Sequence, residues 1–266
     1  MRSSNPVLTR LTPETHTAPA PGYGAGYGSP YPTYQEPPTY VAEQDRMTVD
    51  DVVVKTVGLL GLVALAGVAT AVVLPNELLG LAWIGGAVVG LVLGLVISFK
   101  RIINPALMMA YAVVEGVFLG AVSEFFEMRF PDSGIVLQAV VGTFAIFFVM
   151  AGLYKARIVR ATPKFARFML GAVVAAVVVM LARLLMGFLM EDSPLSNGSG
   201  LSILVSLVLI VIGALTFILD FDMVEQAVAQ GAPKNVSWLC AFGILVGLIW
   251  VYLEVLRLLS YLRGSE

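Results

Sequence analysis

Seven runs of apolar residues cross this chain, each near the length of a bilayer, and short polar clusters separate them. About 20 residues suffice for a crossing, because ~30 Å of hydrocarbon divided by a rise of 1.5 Å per residue sets the length. The pattern predicts membrane helices over 57–74, 78–98, 106–126, 135–154, 168–190, 201–219 and 236–259, and the first, the shortest, can extend backward through Val52. Turn chemistry punctuates the breaks: PNE at Pro75, NP at Asn104, PDSG at Pro131, TP at Thr162, DSPLSNGSG from Asp192 and GAPKN from Gly231. Thr48 followed by Asp51 has the T-x-x-D form of a helix start, so the folded part is expected to begin there.

Composition agrees. Hydrophobic residues make up 58% of the 266 and charged ones 13%, which places the chain among all-α polytopic membrane proteins. Residues 1–46 are of another kind. Their Pro, Gly and Tyr repeats carry no helix or strand period and too little aliphatic surface for a core, so a disordered tail is expected before a transmembrane domain over 47–266. The first apolar core begins only at Val57, so no cleaved leader is expected. Tyr23, Tyr27, Tyr31, Tyr34 and Tyr40 read as part of a spacer rather than as a partner-binding array.

Charge excludes several functions and orients the spans. A net charge of −2, with Lys and Arg mostly in loops, gives no footprint for nucleic acid. The only histidine, His16, lies in the tail, and the single Cys240 lies in an apolar run, so neither a histidine-based metal site nor a disulfide is open to the chain. Lys100 and Arg101 fall in the second loop, and Lys155, Arg157, Arg160, Lys164 and Arg167 in the fourth, which predicts that these loops and the amino terminus face the cytoplasm. The alternate loops hold Arg129 and acids such as Glu77, Asp132, Glu191 and Asp192. Seven spans then put the carboxyl terminus outside, against which Arg257 and Arg263 argue unless the last helix is re-entrant.

Glycines at Gly86, Gly90, Gly94, Gly116 and Gly120 have the small-xxx-small spacing of close helix packing. No nucleotide loop, zinc-protease motif or nucleophile elbow occurs, and the acids lie in neither a YD nor a GxGD context, so no enzymatic activity and no tightly bound cofactor are expected.

Ionisable side chains inside the spans are the informative set, since each costs at least ~2.5 kcal/mol in lipid and is expected to face a wet or protein-lined interior. Glu115 lies near mid-membrane, with Arg183, Glu254 and Glu124 progressively toward the far side. Apart from Arg257 near the end of the last span, Arg183 is the only cation within a span, and Glu254 matches it best in depth, so the two are expected to pair. Asp220 ends the run SILVSLVLIVIGALTFIL and is expected to point inward, whereas Asp222 is as readily solvated at the helix exit. Asp220 and Glu254 could share a proton if they met, making their charge respond to pH. With a turn centred near Pro233 they miss one another by eight residues, or ~12 Å along the axes, unless Gly243 and Gly247 break the helix.

YAVVEGVFLGAVS in the third span, LDFDMVEQAVAQGAP after the sixth and WVYLEVLRLLSYLRG at the end resemble the bacterial YccA branch of the Bax-inhibitor family, from about Val49 to the carboxyl terminus. The resemblance implies a seven-helix bundle with the last helix central. It implies a pH-sensitive calcium leak, or modulation of cell death or of a membrane protease. By position, Asp220 or Asp222 matches the acid of the sixth helix and Glu254 that of the seventh, which act as proton sensor and gate; Glu115 matches the EG position of the third. Glu254 stands where the family has aspartate, and the interval between the two acids is longer by about two turns.

The resulting expectation is a plasma-membrane cation leak, calcium the favoured ion, gated by protonation of Asp220, Asp222 and Glu254. Glu115, Arg183 and Glu124 would support it, and Asp220 with Glu254 would hold calcium weakly in transit. The alternative is a non-conducting scaffold that restrains a membrane protease or another membrane protein.

Overall fold

The computed structural model describes residues 46–100, 102–189 and 198–264. They form seven helices: α1 Val49–Val73, α2 Asn76–Lys100, α3 Pro105–Arg129, α4 Ile135–Lys155, α5 Pro163–Leu189, α6 Gly200–Ala229 and α7 Val236–Gly264. Each contains a stretch long and apolar enough to cross a membrane, and no strand occurs among the described residues. The tail with its tyrosines and His16 lies outside them, as do Glu191 and Asp192.

Local chemistry sets the helix ends. Thr48 and Asp51 form a full capping box, the Thr48 N–H donating to Asp51 Oδ2 at 3.1 Å and the Asp51 N–H to Thr48 Oγ1 at 3.2 Å. Asn104 accepts from the Ala106 N–H ahead of Pro105, a residue that fits the first turn because it has no N–H to satisfy. Gly231 turns the chain between α6 and α7 at φ +65°, a conformation costly for any residue with a Cβ. The sixth helix departs from the sequence expectation in one useful respect. It runs unbroken ten residues past Leu219, so Asp220 and Asp222 lie within a helix rather than at its exit.

The seventh helix is the centre of the bundle: 72% of its most apolar stretch is buried, against 11% for α5. Four helices, α1, α3, α4 and α6, pack directly on it. The surround is uneven, because α2 packs on α3 alone and α5 on α6 alone among the described residues. Small residues let the closest pairs approach. A Cβ on Gly116 would come within 2.6 Å of the Val63 carbonyl oxygen, and one on Gly247 within 2.8 Å of the Phe217 ring. α7 is a continuous helix of 29 residues rather than a re-entrant segment, so seven crossings leave the start of α1 and the end of α7 on opposite faces.

The start of α1 is fastened to the α6–α7 turn. The Met47 N–H donates to Ala232 O at 2.8 Å, and Lys234 pairs with Asp51 at 3.1 Å. The Lys55 ammonium, 5.3 Å from the centre of the Trp238 ring, donates to Lys234 O and to the Ser237 hydroxyl.

Candidate functional site

The sequence-predicted ion pair is present. Arg183 Nη1 of α5 lies 3.3 Å from Glu254 Oε2 of α7, with side-chain exposures of 6% and 1%. Buried ions need every lone pair answered, and a second cation answers the other oxygen: Arg257 Nη1 stands 2.5 Å from Glu254 Oε1. Arg183 Nη2 also donates to Ser202 O and to Ser206 Oγ, both at 3.2 Å, binding α5 to α6 as well. One carboxylate thus joins two guanidinium groups at the end of the bundle farther from the start of α1. Arg257 and the two serines were missed by sequence reasoning, although their signals were there. Arg257 is three residues after Glu254, hence on the same helix face, and Ser202 and Ser206 are four apart in an otherwise apolar run.

Asp220 occupies a different place. Half-buried between α6 and α7, its Oδ1 faces Gly243, where an added Cβ would sit 3.4 Å away. The Cys240 thiol, three residues earlier on α7, is within its electrostatic reach. Among the described residues no hydrogen bond or ion pair engages its carboxyl. Glu254 lies eleven residues beyond Gly243, or ~16 Å along α7. Asp220 and Glu254 therefore miss one another, as the turn near Pro233 implied for an unbroken α7, and the joint weak calcium site expected of the two is not formed in this arrangement. The physical reason is register. The α6–α7 turn sets Asp220 opposite Gly243, and Gly243 and Gly247, instead of breaking the helix, give up their side-chain space to Asp220 and Phe217.

The other acids are dispersed. Asp222 is half-buried, accepts from Gln226 Nε2 at 2.5 Å, and lines a cavity of about 890 Å³ with Tyr154, Lys155, Arg157, Arg160 and Glu225 at the membrane face where α1 starts. Glu115 is buried on α3 and points at α2, where Gly90 leaves it room: a Cβ there would lie 2.5 Å from Glu115 Oε1. The Tyr111 side chain one turn earlier interacts with this carboxyl and packs edge-on against Phe242 of α7, ring centres 5.0 Å apart. Glu124 is half-buried with no ion pair among the described residues. No group of three acid, histidine or cysteine side chains among those residues is arranged to hold a metal ion.

Among the described residues two buried N–H donors have no protein acceptor, Arg183 Nε and Trp250 Nε1. Trp250 lies on α7 between Gly243 and Glu254 and packs against Gly213 of α6. Both lie along the α5–α6–α7 seam, where a buried donor without a protein acceptor is ordinarily answered by water.

The chain, with seven apolar helices of which the last is buried and with acids on α3, α6 and α7, is matched by a family model described as Bax inhibitor 1 like over residues 5–264. The chain belongs to the Bax inhibitor 1 like family. The match begins at residue 5, well upstream of the Val49 at which the motif resemblance starts, so the family pattern takes in most of the Pro/Gly/Tyr-rich tail. Comparison with curated proteins gave no match. Within the family frame the protein is a multi-pass membrane protein in contact with the lipid bilayer.

Proposed function

We propose that this Bax inhibitor 1 like protein is a pH-sensitive cation leak of the bacterial plasma membrane, with calcium the favoured ion, no enzymatic activity and no tightly held cofactor. Hydrogen-ion binding to Asp220 sets the passage, and the Arg183–Glu254–Arg257 cluster holds the far end of the α5–α6–α7 seam shut. One observation carries this reading: the Asp220 carboxyl stands between two membrane helices with no hydrogen bond or ion pair among the described residues. An ionised acid so placed is costly unless water or a cation attends it, so its charge answers to both. Glu254 is the opposite case. Guanidinium groups engage both its oxygens, which suits a latch rather than a sensor.

Hard cations take oxygen ligands, and a single carboxylate with helix carbonyls binds them weakly enough for transit. Ionised Asp220 draws cations into the seam and its protonated form does not, so flux falls as pH falls. The basic loop residues Lys155, Arg157 and Arg160 border the same end of the bundle as Asp222, and the positive-inside rule puts that end in the cytoplasm with the amino terminus. Asp220 then samples cytoplasmic pH.

Purified protein in liposomes enclosing a calcium dye tests this reading across a pH series. The expected result is an influx above that of protein-free liposomes that rises with pH. Absence of flux at every pH would overturn it and leave the non-conducting scaffold, bound to a membrane protease or other membrane protein, in its place.

A further inference from the structure

We infer that the bundle holds a single lipid acyl chain in a groove between α1 and α4, with α3 and α7 as its floor. The two walls do not pack on one another, although both pack on α7. Between them lies an apolar cavity of about 320 Å³, bordered by Ala64, Val68 and Ala71 of α1, Val140 and Phe144 of α4 and Ile249 of α7. That volume reaches the range of small-molecule sites, while the apolar lining disfavours water.

Three features choose the occupant. The first is depth. The groove runs along α1 from Leu60, the middle of the helix, to Ala71 near its end, and along α4 from Val136 at its start to Phe144 at its middle. The span on α1 is ~16 Å, one leaflet of a ~30 Å hydrocarbon layer, on the side where α1 ends. The second is calibre. About 320 Å³ spread over ~16 Å gives a cross-section of roughly 20 Å², far too narrow for a helix of ~10 Å diameter and suited to one extended hydrocarbon chain. A second copy of the bundle or a partner helix cannot enter it.

The third is the absence of a polar hook. The hydroxyls that border the groove are bonded within the protein: Thr143 Oγ1 donates to Ala139 O at 2.7 Å, and Ser123 and Tyr252 hydrogen-bond one another at 2.6 Å. With these hydroxyl protons committed within the protein the groove offers no free donor to a polar ligand, so the occupant is hydrocarbon supplied by the leaflet the groove opens onto. A chain seated there touches α7 at Leu248 and Ile249, residues otherwise closed off from lipid at 3% and 8% exposure.

The test uses full-length protein in phosphatidylglycerol vesicles in which a fraction of the lipid carries a photoreactive group on one acyl chain, with adducts mapped by peptide mass spectrometry. Leu170 of α5, exposed and remote from the groove, gives the label expected of any lipid-facing residue. Adducts on Leu248 and Ile249 are expected at levels comparable to those on Leu170, and Ala64→Trp should cut them roughly tenfold while leaving Leu170 unchanged. A second plug, Val140→Trp from the other wall, should reproduce the loss, which separates occupancy from a folding defect in either variant. An unlabelled α7, α7 labelling that survives both plugs, or adducts only on the outer faces of α1 and α4 would overturn the inference. None of these readings depends on ion flux.

Discussion

At the residue scale the decisive contrast is between two carboxylates on neighbouring helices. Glu254 is paired twice and buried, Asp220 is half-buried with no pair among the described residues, and only the second can exchange its proton without dismantling a contact seen there. Arg183→Met removes the hydrogen bonds to Glu254, Ser202 and Ser206 together and leaves the carboxylate with Arg257 alone. A loss of about 3 kcal/mol is expected, read as a lower midpoint of thermal unfolding in detergent, and Arg183→Met with Glu254→Leu should recover part of it because the uncompensated charge is then gone. Gly90→Ala drives a methyl against the buried Glu115 carboxyl and should cost about 1–3 kcal/mol in the same measurement. The Arg183–Glu254 pair was legible in the sequence because a lone intramembrane cation must find an acid at its own depth. Arg257 was legible only as a puzzle about orientation, since its i,i+3 bond to Glu254 is what places a positive residue near that end of α7. Arg263 is explained likewise, donating to Ser133 O and Gln138 Oε1.

At the element scale the α6–α7 hairpin carries the account. Hydropathy located both helices, and the turn near Pro233 already put the two acids out of register; which glycine faces which side chain was beyond it. Gly243 opposite Asp220 and Gly247 opposite Phe217 settle that register and separate the two acids that the family resemblance would bring together. The continuation of α6 to Ala229 was also beyond hydropathy, since the polar stretch MVEQAVAQ is helix-compatible without being apolar. Cys240 offers a native reporter of the seam: as the only cysteine, 1% exposed, it should react slowly with a membrane-permeant maleimide. Gly247→Leu, which cannot coexist with Phe217 in its present place, should raise the labelling rate about tenfold at roughly 1.4 kcal/mol of easier opening. The mass shift of the whole protein reads this directly, and equal rates would mean that the seam is not held by that contact.

At the scale of the whole molecule the bundle is a buried α7 with four direct neighbours and two outlying helices, α2 and α5. The number and order of spans were readable because ~30 Å of hydrocarbon imposes a length on each. The unequal surround was not, because α2 and α5 are as apolar as the helices that touch α7, and lipid satisfies such faces as well as protein does. α5 is nevertheless tied to α7 through Arg183, so the latch joins an outlying helix to the central one while Asp220 sits at the other end of the same seam. Reporters fused to the two termini should appear on opposite faces of the membrane, as seven crossings require.

The central claim is that the charge on Asp220 governs passage, and calcium flux into liposomes measured across a pH series for the native protein and Asp220→Asn tests it most directly. The native profile should rise with pH, and the amide, isosteric but unable to ionise, should give a flat profile at the low-pH level. Asp220→Asn with a profile superimposable on the native one would contradict the account.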